Sequence, residues 1–160
     1  MTTQPEAVRW AAASWWTALA INAVHQIIGG VIAFFNRGQL MAELEKRMNG
    51  QAVPEMAASI GLVMSVLFLL GFLGLFAWFV AAFRQGGRFA QLCRKTMTFV
   101  SIYLGISVIT VFAIVPTSLS IPQGWFLADG CLSIACGVAA IIGLIFAQKK
   151  ESLEWGVVRD

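Results

Sequence analysis

Apolar residues fall into four long runs, at about 10–35, 56–83, 96–115 and 125–147, separated by short polar stretches. A helix needs roughly 20 apolar residues to cross a hydrocarbon core about 30 Å thick, so each run is long enough to span a bilayer. At about 1.5 Å per residue the first two exceed that thickness, and they are expected to tilt or protrude. The first run does not read as a cleaved signal. It is longer than a typical core of roughly 7–15 residues, and only Arg9 precedes it. The pattern predicts an all-α integral membrane protein: one transmembrane domain over residues 1–160, folded as an antiparallel four-helix transmembrane bundle.

The connections are short except the first. Within residues 36–55, Leu40, Met41, Leu44 and Met48 recur near helical spacing, with Glu43, Glu45, Lys46 and Arg47 between them. This predicts a short amphipathic helix lying on the membrane surface or on a partner. Gly50 and Pro54 supply stop and restart signals. Pro116 and Pro122 mark residues 116–124 as a compact turn.

Composition sharpens the class. The chain is 59% hydrophobic and 12% charged, with a mean hydropathy of +0.79. Ordinary globular domains are about 45–50% apolar and about 25% charged. A soluble domain could not hide so much apolar surface. A soluble enzyme, a nucleic-acid binder and a disordered regulator are therefore excluded as expectations. The net charge of +3 is read as basic loops beside anionic lipid headgroups, with no nucleic-acid partner.

The charges also set orientation. Arg9, the second connection (Arg84, Arg88, Arg94 and Lys95) and the tail (Lys149, Lys150 and Arg159) place eight basic residues on one side, against three (Arg37, Lys46, Arg47) on the other. The positive-inside rule puts both termini in the cytoplasm of a multi-pass bacterial plasma-membrane protein. Trp10, Trp15, Trp16, Trp78 and Trp125 lie towards span ends, where interfacial aromatics belong.

Span one carries a polar and small stripe. At 100° per residue, Ala11, Ser14, Ala18, Asn22, His25 and Gly29 fall within roughly 80° of arc, with Gln26 at the border. Trp16, Val24, Ile27, Val31 and Phe34 occupy the other side. The stripe is expected to face protein, because unpaired polar groups in lipid are costly. His25 is the sole histidine. It reads either as a functional intramembrane group or as a neutral imidazole bonded across helices. Asp129, about one turn into span four, reads as an interface residue, a cap or a point of cation entry. Counted from span ends, His25 and Asp129 differ in depth by roughly 9 Å, so no direct pair between them is expected. Ser14, Asn22, His25, Gln26 and Asp129 form the candidate intramembrane polar site.

Small residues mark helix-packing faces: Gly61 and Ser65 in span two, Ser101 and Gly105 in span three, and Gly130, Ser133 and Gly137 in span four. The residues 67–79 of span two present a bulky Leu- and Phe-rich wall that suits lipid or a larger partner. The three cysteines form no CxxC; Cys131 and Cys136 are too far round and along one helix to bridge, and all three read as small buried or reduced residues.

Several constellations are missing. No helix centre carries Glu, Lys or Arg, unlike the small multidrug exporters, which depend on a glutamate in their first span. There is no HExxH, no Walker loop and no clustered metal-ligand set. One His cannot supply bis-histidine haem ligation. No cofactor and no enzymatic activity are expected; a bound lipid fits the composition.

Pro5 with Val8-Arg9, then Ala12 and Trp15-Trp16, together with the hydropathy plan, resembles the start of small four-helix membrane proteins from actinobacteria. Most of that group have no assigned function, so no site residues carry over. Some small helical proteins of this kind are accessory subunits of larger assemblies such as the actinobacterial respiratory bcc–aa3 supercomplex. The resemblance makes such a role an expectation here.

Two functional readings follow. The first is a non-catalytic accessory subunit packing against other integral membrane proteins, its tail (Leu153, Trp155, Val157, Val158) docked on a partner or anchored at the interface. The second is a small homo-oligomeric carrier or channel lined by Ser14, Asn22, His25 and Gln26, in which imidazole, the side chain that ordinarily titrates near neutral pH, couples to protons. A lipid- or quinone-binding chaperone using the Phe-rich face is a third.

Overall fold

The computed structural model describes residues 4–35, 55–113 and 123–155, with scattered positions between 38 and 46. Among the described residues the continuous helices are α1 (Glu6–Phe35), α2 (Glu55–Gln85), α3 (Ala90–Ala113), α4 (Gln123–Ala147) and the short α5 (Lys150–Glu154). Only scattered positions of the expected amphipathic helix at Leu40–Met48 are described; of the turn expected at 116–124, residues 116–122 lie outside the described residues, and Gln123 and Gly124 already belong to α4.

Three helical segments are long and apolar enough to cross a membrane: Ser59–Gln85, Ala90–Ile109 and Leu127–Ala147. Helix α1 is not among them over its described residues. Asn22, His25 and Gln26 interrupt its apolar run.

The third helix starts earlier than its apolar run. Gly86 and Gly87, at φ 78° and 86°, turn the chain sharply after α2. Ala90 N–H then donates to Gly87 O at 3.0 Å, and α3 begins. Arg94 and Lys95 therefore sit on a helix and not in a loop.

The α1–α4 contact is the most extensive, followed by α3–α4, then α2–α3 and α1–α2. The main core gathers at the end where α2 turns into α3. Val8, Ala11, Ala12, Trp15 and Leu19 of α1 meet Val80 and Phe83 of α2, Cys93 and Met97 of α3, and Ala147 of α4. A smaller cluster of Ala18, Cys136 and Ala140 continues along the α1–α4 seam.

Trp15 joins four helices and is only 1% exposed. Its Nε1 donates to Ser101 Oγ on α3 at 2.9 Å, and that hydroxyl donates onward to Met97 O at 2.8 Å. Its ring meets Phe83 of α2 edge-on at 5.3 Å. On α4 it lies so close to Gly143 that a Cβ there would overlap the indole. The expectation that Trp15 belongs to an interfacial belt is thus corrected: it is a core residue, whereas Trp10, Trp16 and Trp78 are exposed.

A short C-terminal fold-back closes this end. Ser152 is buried, and its Oγ donates to Phe146 O at 2.9 Å. Gln91 Nε2 donates to Leu153 O at 2.6 Å and Trp155 O at 2.8 Å. Trp155 Nε1 donates to Phe83 O at 2.9 Å, satisfying a carbonyl at the C-terminal end of α2. Trp155 therefore docks on its own chain, which corrects the reading of it as a residue for a partner or the interface. Leu153 stays exposed; Val157 and Val158 lie outside the described residues.

The other end is open. From Phe76 to Phe83, α2 packs against the core, but from Met56 to Leu75 its described side chains are exposed or at most half-buried. Gly61, Gly71 and Gly74 have no atom within 4 Å of where a Cβ would sit. Phe68, Phe72, Phe76 and Phe79 contact one another in sequence along this helix. Gly61 and Ser65, expected on a helix-packing face, are both exposed.

Candidate functional site: a His–Asp pair between two helices

The polar stripe of α1 turns towards α4. Ala11 and Ala18 are buried, and Ser14, Asn22, His25, Gln26 and Gly29 are half-buried. Trp16, Val24, Ile27, Val31 and Phe34 are exposed on the far side. Small side chains at Ala18, Ala140 and Gly143 bring the two backbones close. The seam is tight enough for the Cys136 thiol to donate to Ala18 O at 3.3 Å.

Two turns beyond that contact, His25 Nδ1 lies 2.7 Å from Asp129 Oδ1. The expectation that these residues are too far apart in depth is corrected. It assumed that both helices begin at one surface. Trp15 opposite Gly143, Ala18 opposite Cys136 and Ala140, and His25 opposite Asp129 define one antiparallel register. At that register α1 runs about six residues, roughly 9 Å, past the level where the apolar run of α4 begins.

The paired atoms are sealed from solvent. Neither makes an aligned hydrogen bond, so the contact is close in distance but off the N–H direction. The side chains are not fully enclosed: 26% of His25 and 31% of Asp129 remains exposed. Ser14, Asn22 and Gln26 share the stripe but make no side-chain hydrogen bond among the described residues.

The other predicted positions scatter. Ser101 is buried in the Trp15 relay. Gly105 faces Ile141, and Gly137 is pressed by Val108 and by Leu104 O at 3.1 Å from a would-be Cβ. Gly130 and Ser133 are half-buried on α4. Of the basic residues, Arg84, Arg88 and Lys95 are exposed, with Arg88 over the Phe89 ring at 4.7 Å. Arg94 is 9% exposed, and its Nε donates to Gln91 Oε1 at 3.1 Å, so it belongs to the packed end rather than to a solvated loop. Cys93 and Cys136 are buried and Cys131 is exposed; all three are free thiols.

Sequence reasoning missed Trp15, Gly143, Gln91 and Trp155. The first had a signal, since Val8, Ala12, Trp15 and Leu19 repeat at 4-3-4 spacing, the period of a buried helix face. Among the described residues no group of three or more His, Cys, Asp or Glu stands close enough to hold a metal ion. Comparison with known proteins finds no matching family model, no matching curated protein and no matching solved structure.

Proposed function

We propose that this chain is a non-catalytic subunit of a larger bacterial membrane complex, built as an antiparallel four-helix transmembrane bundle with cytoplasmic termini. The observation that carries the reading is the exposed stretch of α2. Over residues 56–75 this long apolar helix is largely exposed, and Gly61, Gly71 and Gly74 have no atom within 4 Å of a would-be Cβ, while from Phe76 onward the same helix packs on the core. Small residues let a foreign helix approach closely, and the Phe ladder offers it a broad contact. A respiratory assembly is the partner class that the resemblance of the N-terminal segment suggests. The test is gentle affinity purification from native membranes with mass spectrometry of the co-purifying chains. Stoichiometric recovery of other membrane subunits is expected; recovery of this chain alone at native expression would refute the reading.

A second reading, a small homo-oligomeric carrier, is favoured by one observation, the His25–Asp129 pair. An ionisable residue inside a membrane is a functional hypothesis by default. His25→Leu is then expected to abolish proton-linked flux in proteoliposomes, and unchanged flux would remove His25 from any transport mechanism.

A further inference from the structure

Arg94 is a nearly enclosed cation without an acid. It is 9% exposed. Among the described residues no carboxylate forms an ion pair with it, and its hydrogen bond runs from Nε to the neutral amide oxygen of Gln91 at 3.1 Å. Nη1 and Nη2, the two ends of its fork, have no partner among the described residues. Neither is sealed, since the sealed and unpartnered side-chain atoms among those residues are His25 Nδ1 and Asp129 Oδ1 alone. Enclosing a guanidinium is costly unless an opposite charge or further bonds offset it. The fork opens to the surface with that compensation still unmet.

The chain aims this fork at the start of α3. Helical side chains lean toward the N-terminus of their helix, and the bond to Gln91, three residues earlier, holds the guanidinium alongside the first turn. Gln91 is fixed in turn, because its Nε2 donates to Leu153 O and Trp155 O. At the same turn, Ala90 N–H points back to Gly87 O and the helical ladder opens with Cys93 N–H to Phe89 O at 2.9 Å. The N–H groups of Gln91 and Leu92 are left without an acceptor among the described residues. Arg88 and Lys95 are exposed beside them in sequence. Of the acids at this end, Glu154 faces Lys150 at 3.9 Å, Glu6 accepts from Trp10 Nε1 at 3.1 Å, and Glu151 is exposed.

A guanidinium fork beside free N–H groups at a helix start matches a phosphate. Tetrahedral oxygens can accept from both fork nitrogens and from backbone N–H groups at once, whereas a planar carboxylate is used up by the fork. The depth matches as well. Arg94 lies four residues, about 6 Å, inside the start of the Ala90–Ile109 segment, which is long and apolar enough to span. We propose that the first turn of α3 and the Arg94 fork bind a phosphate group, carried by an anionic lipid headgroup or by free phosphate. The proposal goes beyond both functional readings above and rests on neither, because its test uses this chain alone.

The experiment titrates the purified chain in an uncharged detergent and reads binding from the thermal unfolding midpoint. One arm adds inorganic phosphate against chloride at equal ionic strength. The other adds short-chain phosphatidylglycerol against phosphatidylcholine. A saturable rise is expected in at least one arm: with the lipid alone, the source is a headgroup, and with inorganic phosphate too, it is free phosphate. Arg94→Gln is expected to weaken that binding roughly ten- to hundredfold, the range of a hydrogen bond to a charged group. Arg9→Gln removes the same charge from an exposed position of α1 and is expected to leave binding unchanged. No response in either arm, or equal weakening by the two variants, would overturn the proposal. The unaltered chain supplies a check that no misfolded variant can confuse. Modification of Arg94 by phenylglyoxal, read by peptide mass spectrometry, is expected to slow severalfold in the responding arm while that of Arg9 does not. Equal rates at Arg94 with and without the phosphate group would equally overturn it.

Discussion

Substituting Gly143 tests whether the packed end is organised around Trp15. A Cβ at Gly143 would overlap the pyrrole edge of Trp15, so Gly143→Ala forces the indole or the α1–α4 spacing to move. Trp15 has little freedom to do so. Its Nε1 is bonded to Ser101 Oγ at 2.9 Å and its ring is seated on Phe83 at 5.3 Å. Overpacking a close-packed site costs about 1–3 kcal/mol. Displacing the indole adds about 0.5–1.5 kcal/mol for the hydrogen bond and about as much for the aromatic pair. The higher helix propensity of Ala returns about 1 kcal/mol. The net expectation is a loss of about 1–5 kcal/mol.

Gly61→Ala is the matched control, since its Cβ meets nothing within 4 Å and the same propensity gain acts alone. It is expected to leave stability unchanged or to raise it by up to about 1 kcal/mol. The assay is reversible unfolding in mixed detergent micelles followed by circular dichroism. If Gly143→Ala unfolded together with Gly61→Ala, the packing role of Trp15 would be refuted.

Removing the ring and donor at the C-terminal fold-back, by Trp155→Ala, uncaps Phe83 O and vacates the space over Gly86. Proteolytic cleavage near residues 150–155 is expected to rise severalfold while the rest of the chain stays resistant, and an unchanged digest would contradict the clasp. Ser101→Ala leaves the buried Trp15 N–H without its acceptor and is expected to cost about 1–3 kcal/mol in the same unfolding assay; a loss above that of Gly143→Ala would place the weight on Ser101 instead. With N-ethylmaleimide in mild detergent, Cys131 is expected to label first and Cys93 and Cys136 only on unfolding, as read by peptide mass spectrometry; early labelling of Cys136 would contradict its place in the α1–α4 seam.

The all-helical character and three membrane-length segments were legible because apolar runs of this length have few other physical outcomes. The inward face of α1 was legible too, since a helix period of 3.6 fixes which residues share a side. Depth was not. The His25–Asp129 contact depends on how far two helices slide along each other, which is set by tight fits such as Trp15 against Gly143, and no local pattern encodes that offset. Arg94 shows a second limit. Charge alone assigned it to a loop, but the two positive-φ glycines turn the chain so sharply that α3 starts before it, and Gln91 then holds its guanidinium at the packed end. Trp155 shows a third. An aromatic in a short polar tail reads as an anchor unless the exposed carbonyl it caps is already in view.

The two ends of the molecule are held by different physics, and this bears on what the chain needs from its surroundings. At the packed end, backbone carbonyls of α2 and of the tail are met by side chains of the same chain: Phe83 O by Trp155, Arg84 O by Gln4, and Leu153 O and Trp155 O by Gln91. These carbonyls are satisfied internally, as a self-sufficient core requires. At the open end the balance reverses. Among the described residues, this part of the α1–α4 seam is held by small residues and the off-axis His25–Asp129 contact. Lipid can solvate the apolar wall of α2 at little cost, but it cannot bond the outer atoms of His25 and Asp129.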